Sequence, residues 1–254
     1  MQYLEYKQIE WIKSNPIAHR GLHDKSKGVI ENSISAFNEA IKYRYPIEMD
    51  VQLTKDNEVI VFHDSNLMRL TGLNQEISNL NLNNLIKIKL LNSNDCIPSF
   101  AEALHVINSQ VPIIVELKDS KKQNILEERI VELTRGYPGD FSILSFDFKT
   151  IAWYKRNAPY INRGLNISKI DRYLIKQNKM ALFEKVPFLR EKLLRKLSPD
   201  FLSYDIDLIP IKYGKFTKKM RIPLISWTID TLKKRDKAKK LTDNFIFEKI
   251  NPFE

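Results

Sequence analysis

The sequence predicts an α/β protein, a (β/α)8 barrel with a small inserted subdomain after the second strand. Three observations predict it. Eight short apolar runs recur along 254 residues, and helix-patterned stretches separate most of them. The runs are nearly continuous in apolar residues, as strands buried on both faces require. No Gly-x-Gly-x-x-Gly turn follows the first run, which disfavours an open doubly wound sheet.

Strands are expected at 15–20, 46–53, 111–118, 141–147, 161–168, 200–206, 223–229 and 244–248. Helical patterns fill Ser33–Tyr43, Lys121–Arg135, Lys149–Ala158 and Thr231–Leu241. The connection 54–110 breaks the alternation. It starts as a hairpin over Leu53–Phe62, turning at Asp56-Asn57, two residues that tolerate tight turns. A polar Asn/Leu stretch (74–94) and a helix near 99–109 follow. This segment is expected to cover one barrel end, so residues 1–254 are expected to form one domain. The connection 169–199 is long, basic and amphipathic, and Pro187 should break or kink its helix.

Length and a hydrophobic content of 43% suit a single large core. The one cysteine, Cys96, excludes an intrachain disulfide and is expected to pack as a small apolar residue before the turn at Pro98. No Cys-His spacing reads as a zinc site. The N-terminal residues carry charges where a signal peptide needs an apolar core, and no window suits a transmembrane span. A cytoplasmic location is therefore expected. The net charge of +10 is uneven: residues 1–168 hold 20 Lys+Arg against 20 Asp+Glu, and residues 169–254 hold 21 against 11. A basic half suits anionic partners, a peripheral contact with an anionic membrane among them, or simply a solvated lysine-rich surface.

Barrel enzymes place their chemistry at the C-terminal ends of the strands. Those ends carry His19 and Arg20, Glu48 and Asp50, His63 and Asp64, Glu116 and Lys118, Ser145 and Asp147, Trp227, and Glu248. Residues i and i+2 of a strand share a face, so Glu48 faces with Asp50 and Glu116 with Lys118. If both pairs point inward, three carboxylates converge and need a hard divalent cation: Mg2+ or Ca2+, with Mn2+ as an alternative. Arg20 and Lys118 then suit a phosphodiester anion, and His19 and His63 suit proton transfer near pH 7. Asp64 is placed either to orient His63 or to make a turn. Trp227 reads as core or as a wall for the substrate alcohol. His23, in the first loop, and His105, on a helix surface, lack comparable neighbours and are read as structural.

The segments Ala18-His19-Arg20-Gly21, Glu31–Phe37, Ile47–Thr54, His63-Asp64, Glu116-Leu117-Lys118, Ser145-Phe146-Asp147 and Trp227-Thr228, in this order and spacing, resemble the glycerophosphodiester phosphodiesterase family. The resemblance runs from Ile17 to about Glu248. It implies a TIM barrel and hydrolysis of glycerophosphodiesters to sn-glycerol 3-phosphate and an alcohol. It further implies one divalent cation on Glu48, Asp50 and Glu116, with His19 and His63 as the acid/base pair. Arg20 and Lys118 would contact phosphate, and Asn32 would help hold the site. Either histidine could be the acid. The nucleophile is water, or a substrate hydroxyl acting through a cyclic phosphate. Ile30-Glu31-Asn32-Ser33 departs from the family's Pro-Glu-Asn-Thr, and Glu248 stands where many members have aspartate, which leaves its role open. Two other functions are compatible with this sequence: lysophospholipid hydrolysis at a membrane surface, and a non-catalytic polyanion-binding module. Nucleic acid is not an expected partner, because unmetallated carboxylates at the site would repel it.

Overall fold

The computed structural model describes residues 9–118, 122, 124–168, 187–210 and 213–254, with the side chains of 187–190 left out. Nine strands occur among them. They are β1 (Ile17–Ala18), β2 (Ile47–Leu53), β3 (Val59–Val61), β4 (Ile113–Leu117), β5 (Phe141–Ser145), β6 (Asn162–Ile167), β7 (Phe201–Asp205), β8 (Leu224–Ile229) and β9 (Asn244–Phe247). Eight run parallel in the order β1-β2-β4-β5-β6-β7-β8-β9, and β9 pairs again with β1. The sheet is closed, which excludes the open doubly wound alternative. The ninth strand, β3, pairs antiparallel to β2 across the expected hairpin, and Asn57 takes a positive φ of 64° at its turn.

Helices α1 (Ile34–Lys42), α4 (Phe100–Ile107), α5 (Ile125–Leu133), α6 (Phe148–Asn157), α7 (Pro187–Leu197), α8 (Tyr213–Met220) and α9 (Leu232–Leu241) lie between strands; α2 (Met68–Thr71) and α3 (Leu82–Leu85) are short turns in the segment after β3. Ser33 starts α1 by accepting from the Ala36 amide at 3.2 Å, which satisfies one of the free amides of a helix start.

Alternate strand residues explain the continuous apolar runs. Met49, Val51, Val115 and Leu117 face outward into the main core with the helices, whereas Ile114, Leu144, Phe201, Ile225 and Ile246 fill the barrel. The barrel floor is closed by a 3-10 turn, Ile9–Lys13, whose Ile12 is fully buried. The Asn244 amide holds that turn, donating to the Ile12 and Asn15 carbonyls at 2.7 Å each. The expected strand 15–20 is thereby shortened to two residues, because the chain before it is spent on this plug.

Phe201 reaches across the interior over Gly164, where any Cβ would come within 2.2 Å of its ring. Phe201→Ala should therefore open a cavity and lower unfolding stability by about 3–5 kcal/mol, read by urea denaturation.

The segment after β3 has its own apolar cluster, in which Ile60, Phe62, Leu70, Ile77, Leu85 and Ile97 are buried. Phe100 and Ile107 of α4 instead belong to the main core. Cys96 is half-buried in a bridge with Lys89. Residues 169–186 of the basic connection lie outside the described residues. Pro187 is the first described residue of α7, and the break or kink expected there falls on residues outside the described ones.

The basic surplus is partly accounted for by helix ends. Arg195 and Lys196, Lys218 and Lys219, and Lys239 and Lys240 occupy the last turns of α7, α8 and α9. Cations there complement the helix dipole, and in this alternation those ends lie opposite the C-terminal ends of the strands. Among the described residues no helix is long and apolar enough to cross a membrane.

Candidate active site

Strand parity builds the site. Glu48 and Asp50 point inward from β2, and Asp50 lies level with Glu116 of β4. Oxygens of the three carboxylates lie within 4.8 Å of one another, and none of the three residues is more than 7% exposed. Two cations answer them. Lys118 Nζ lies 2.7 Å from Asp50 Oδ1 and 2.5 Å from Glu116 Oε1. Arg20 Nε lies 3.0 Å from Asp50 Oδ2.

Asparagines fix the carboxylates from behind. Asn32 donates to Asp50 Oδ2 at 2.9 Å and accepts from the Asp50 amide at 3.2 Å. Asn166 of β6 donates to Glu116 Oε2 at 3.1 Å. A sharp turn brings the first loop onto Glu48: Arg20 takes φ 54° and Gly21 φ 79°. The Arg20 amide then donates to Glu48 Oε2 at 3.1 Å. A side chain at Gly21 would meet Ala36 at 2.8 Å.

Three buried carboxylates against two cations leave one negative charge in excess. Glu48 takes the consequence: burial, and the charges of Asp50 and Glu116, push its carboxyl well above the ordinary range. Burial alone would raise Asp50 too, but Lys118 and Arg20 hold it far below. An all-oxygen donor set with an unmet negative charge suits a hard divalent cation.

Two imidazoles face this cluster, each with Nδ1 on a carboxylate. His19 Nδ1 lies 2.8 Å from Glu248 Oε2, and its Nε2 lies 4.0 Å from Glu48 Oε2. His63 Nδ1 lies 2.6 Å from Asp64 Oδ1. A carboxylate on Nδ1 sets the tautomer and leaves Nε2 for the cleft. Burial lowers the His19 pKa, and the hydrogen bond to Glu248 opposes it. The Gln52 amide latches the His63 loop, donating to the Phe62 and Asp64 carbonyls at 2.7 and 2.8 Å.

An ionic chain ties that loop to Arg20. Asp64 Oδ2 lies 2.5 Å from Arg69 Nε, Arg69 grips both Glu31 oxygens at 2.8 Å, and Glu31 Oε1 takes Arg20 Nη1 at 2.6 Å. Burial would raise the Glu31 carboxyl, but its bonds to Arg69 and the Arg20 charge bring it down to about 2. A depressed carboxyl stabilises the fold above its unfolded value and loses that contribution as pH falls through its folded value. Glu31→Gln should thus cost about 1.5–3 kcal/mol at pH 7. The gap to wild type should close between the ordinary value of 4.5 and about 2, which thermal melts across that range would read.

His19, Arg20, Glu48, Asp50, His63, Glu116, Lys118 and Trp227 line one cleft of about 150 Å³, together with Phe146 and Asn166. Trp227 stands edge-on to Phe146, ring centres 5.7 Å apart. Ser145 and Asp147 do other work at their strand end. Ser145 Oγ donates to the Leu117 carbonyl, and Asp147 caps α6 through the Lys149 amide. His105 is exposed in the last turn of α4. His23 is not isolated: its Nε2 lies 3.4 Å from Glu248 Oε2. The sequence alone assigns no role to Asn166, Glu31, Arg69 or Gln52. The inward parity used for Glu116 would have found Asn166; nothing local to Arg69 announces its partners.

Comparison with known proteins places this arrangement. The profile of the glycerophosphoryl diester phosphodiesterase family matches residues 19–241. The chain belongs to the glycerophosphoryl diester phosphodiesterase family. It is 29% identical over 165 residues to a glycerophosphodiester phosphodiesterase of Caldanaerobacter subterraneus, covering 61% of this chain and 67% of that one. It is 31% identical over 137 residues to a human lysophospholipase D, covering 49% of this chain and 42% of that one. The fold matches a phosphodiesterase of Oleispira antarctica in complex with the product sn-glycerol-3-phosphate, with a TM-score of 0.76, 22% identity and 92% of each chain covered. The family match begins at His19 and ends at Leu241, so Glu248 lies outside the matched stretch.

Proposed function

We propose that this chain hydrolyses glycerophosphodiesters to sn-glycerol 3-phosphate and an alcohol, with Glu48, Asp50 and Glu116 holding one divalent cation. The observation that carries the reading is the carboxylate trio itself, buried within 4.8 Å beside two imidazoles oriented by carboxylates. Mg2+, Ca2+ or Mn2+ bound there supplies Lewis acidity at a phosphoryl oxygen.

The side chains carry the rest. Arg20, held through Nη1 by Glu31, and Lys118 bind the diester anion. Lys118 bridges Asp50 and Glu116, and with those carboxylates holding an ion its ammonium would be available to phosphate. One of His19 and His63 takes a proton from the attacking oxygen through Nε2. The other gives a proton to the departing alcohol oxygen as the P–O ester bond breaks. Trp227 and Phe146 form an apolar wall for the leaving alcohol.

Product assays test the substrate class. Glycerophosphocholine and glycerophosphoethanolamine with Mg2+, Mn2+ or Ca2+ should release sn-glycerol 3-phosphate. Silence with every head group and cation would sink the reading. Turnover of lysophosphatidylcholine in place of these water-soluble diesters would move it to the lysophospholipid class of the human relative. Chelation should bring turnover to background. Returning the cation at about 100 times its Kd should stabilise the fold by about 2.7 kcal/mol, seen as a raised Tm.

A further inference from the structure

His23 has no part in the proposed reaction, yet it meets Glu248, the carboxylate that orients His19. One nitrogen of His19, one nitrogen of His23 and a Glu248 oxygen lie within 4.8 Å of one another. Glu248 Oε2 is the shared point, 2.8 Å from His19 Nδ1 and 3.4 Å from His23 Nε2. The three side chains are 12–15% exposed. They line a groove of about 1220 Å³ whose lining includes none of the carboxylate trio. His23 Nε2 is buried, and its 3.4 Å approach to Glu248 Oε2 falls short of a well-aligned hydrogen bond. The other charge on Glu248 is Lys249, whose Nζ lies 2.7 Å from the second oxygen and leaves Oε2 to the imidazoles.

The donor chemistry differs from that of the first site. The trio offers oxygen alone, which suits Mg2+, Ca2+ or Mn2+. Two imidazoles and a carboxylate suit Zn2+, Co2+, Ni2+ or Cu2+, and the groove leaves room for a water as a further ligand. We propose that His19, His23 and Glu248 form a second, inhibitory site for a divalent transition metal such as Zn2+. Metal on His19 pulls Glu248 off its Nδ1 and takes the imidazole out of proton transfer. The inhibitory sign rests on the function proposed above; the binding does not.

The test uses the full chain in saturating Mg2+ with Co2+ as the optical probe. Wild type should bind one further Co2+ per chain, with the visible band of an imidazole-ligated ion. His23→Ala should weaken that binding at least tenfold, since even outer-shell partners of a metal are worth roughly 10–100-fold. Glu248→Gln should weaken it likewise. Zn2+ should inhibit wild-type turnover at Mg2+ saturation, and His23→Ala should keep basal turnover while resisting Zn2+ by the same factor. Should His23→Ala misfold by circular dichroism, His23→Gln gives the same comparison with the side chain's bulk and polarity kept. Equal Co2+ binding by wild type and the His23 variants, or Co2+ displaced by excess Mg2+, overturns the proposal. An inactive protein that still shows the His23-dependent band would leave this site standing and defeat only the phosphodiesterase reading.

Discussion

Asp50→Asn should lower kcat/KM by roughly 1,000-fold and abolish the response to added cation. Asp50 is the hub of the site. Its oxygens meet Lys118 at 2.7 Å, Arg20 at 3.0 Å and Asn32 at 2.9 Å, and it lies level with Glu116. Lewis acidity at a phosphoryl oxygen is worth several kcal/mol, and each 1.36 kcal/mol is about tenfold in rate. The amide keeps the volume but removes the charge that two buried cations answer. Breaking such a buried pair costs about 3–5 kcal/mol, so Tm should fall as well. Activity must therefore be read at a temperature where circular dichroism shows the variant folded. A folded Asp50→Asn protein with near wild-type kcat/KM would remove Asp50 from the metal site.

His19→Asn and His63→Asn should each lower kcat by about 100- to 10,000-fold, the range for a positioned acid or base. The two are oriented alike, each Nδ1 on a carboxylate, but from opposite ends of the chain: Glu248 after β9 and Asp64 after β3. In the proposed mechanism the two serve one proton-transfer sequence, so the double variant should lose far less than the product of the single losses. Cation affinity measured by titration should stay within a few-fold of wild type in His63→Asn, because the hydrogen-bonded partner of His63 is Asp64 and not a member of the carboxylate trio. Loss of cation binding in that variant would make His63 structural.

Much of this was legible in the sequence, for physical reasons. Strands buried on two faces read as unbroken apolar runs, so the barrel order could be taken from Ile17, Ile47, Ile113 and their successors. Period-two parity placed Glu48, Asp50 and Glu116 on one side before any geometry was known, and that side is the barrel interior. The resemblance then supplied roles that parity could not.

What stayed hidden depends on contacts between distant segments. Arg69 reads as an ordinary surface cation until the segment after β3 folds onto the first loop and hands it Glu31 and Asp64. The plug Ile9–Lys13 reads as an N-terminal tail, since only the barrel floor gives Ile12 a place to be buried. His23 looked unaccompanied because its partner Glu248 is supplied by the last strand, on the far side of the barrel closure.

Activity measured against bound Mn2+ tests the central claim most directly. Ion-free protein, prepared by chelation and dialysis, should be inactive on glycerophosphocholine. Activity should rise in proportion to Mn2+ occupancy and saturate at one ion per chain, with that ion about 2.0–2.6 Å from oxygens of Glu48, Asp50 and Glu116 in a crystal of the loaded protein. Full turnover by the ion-free protein, or an activating ion bound away from those three carboxylates, would contradict the account.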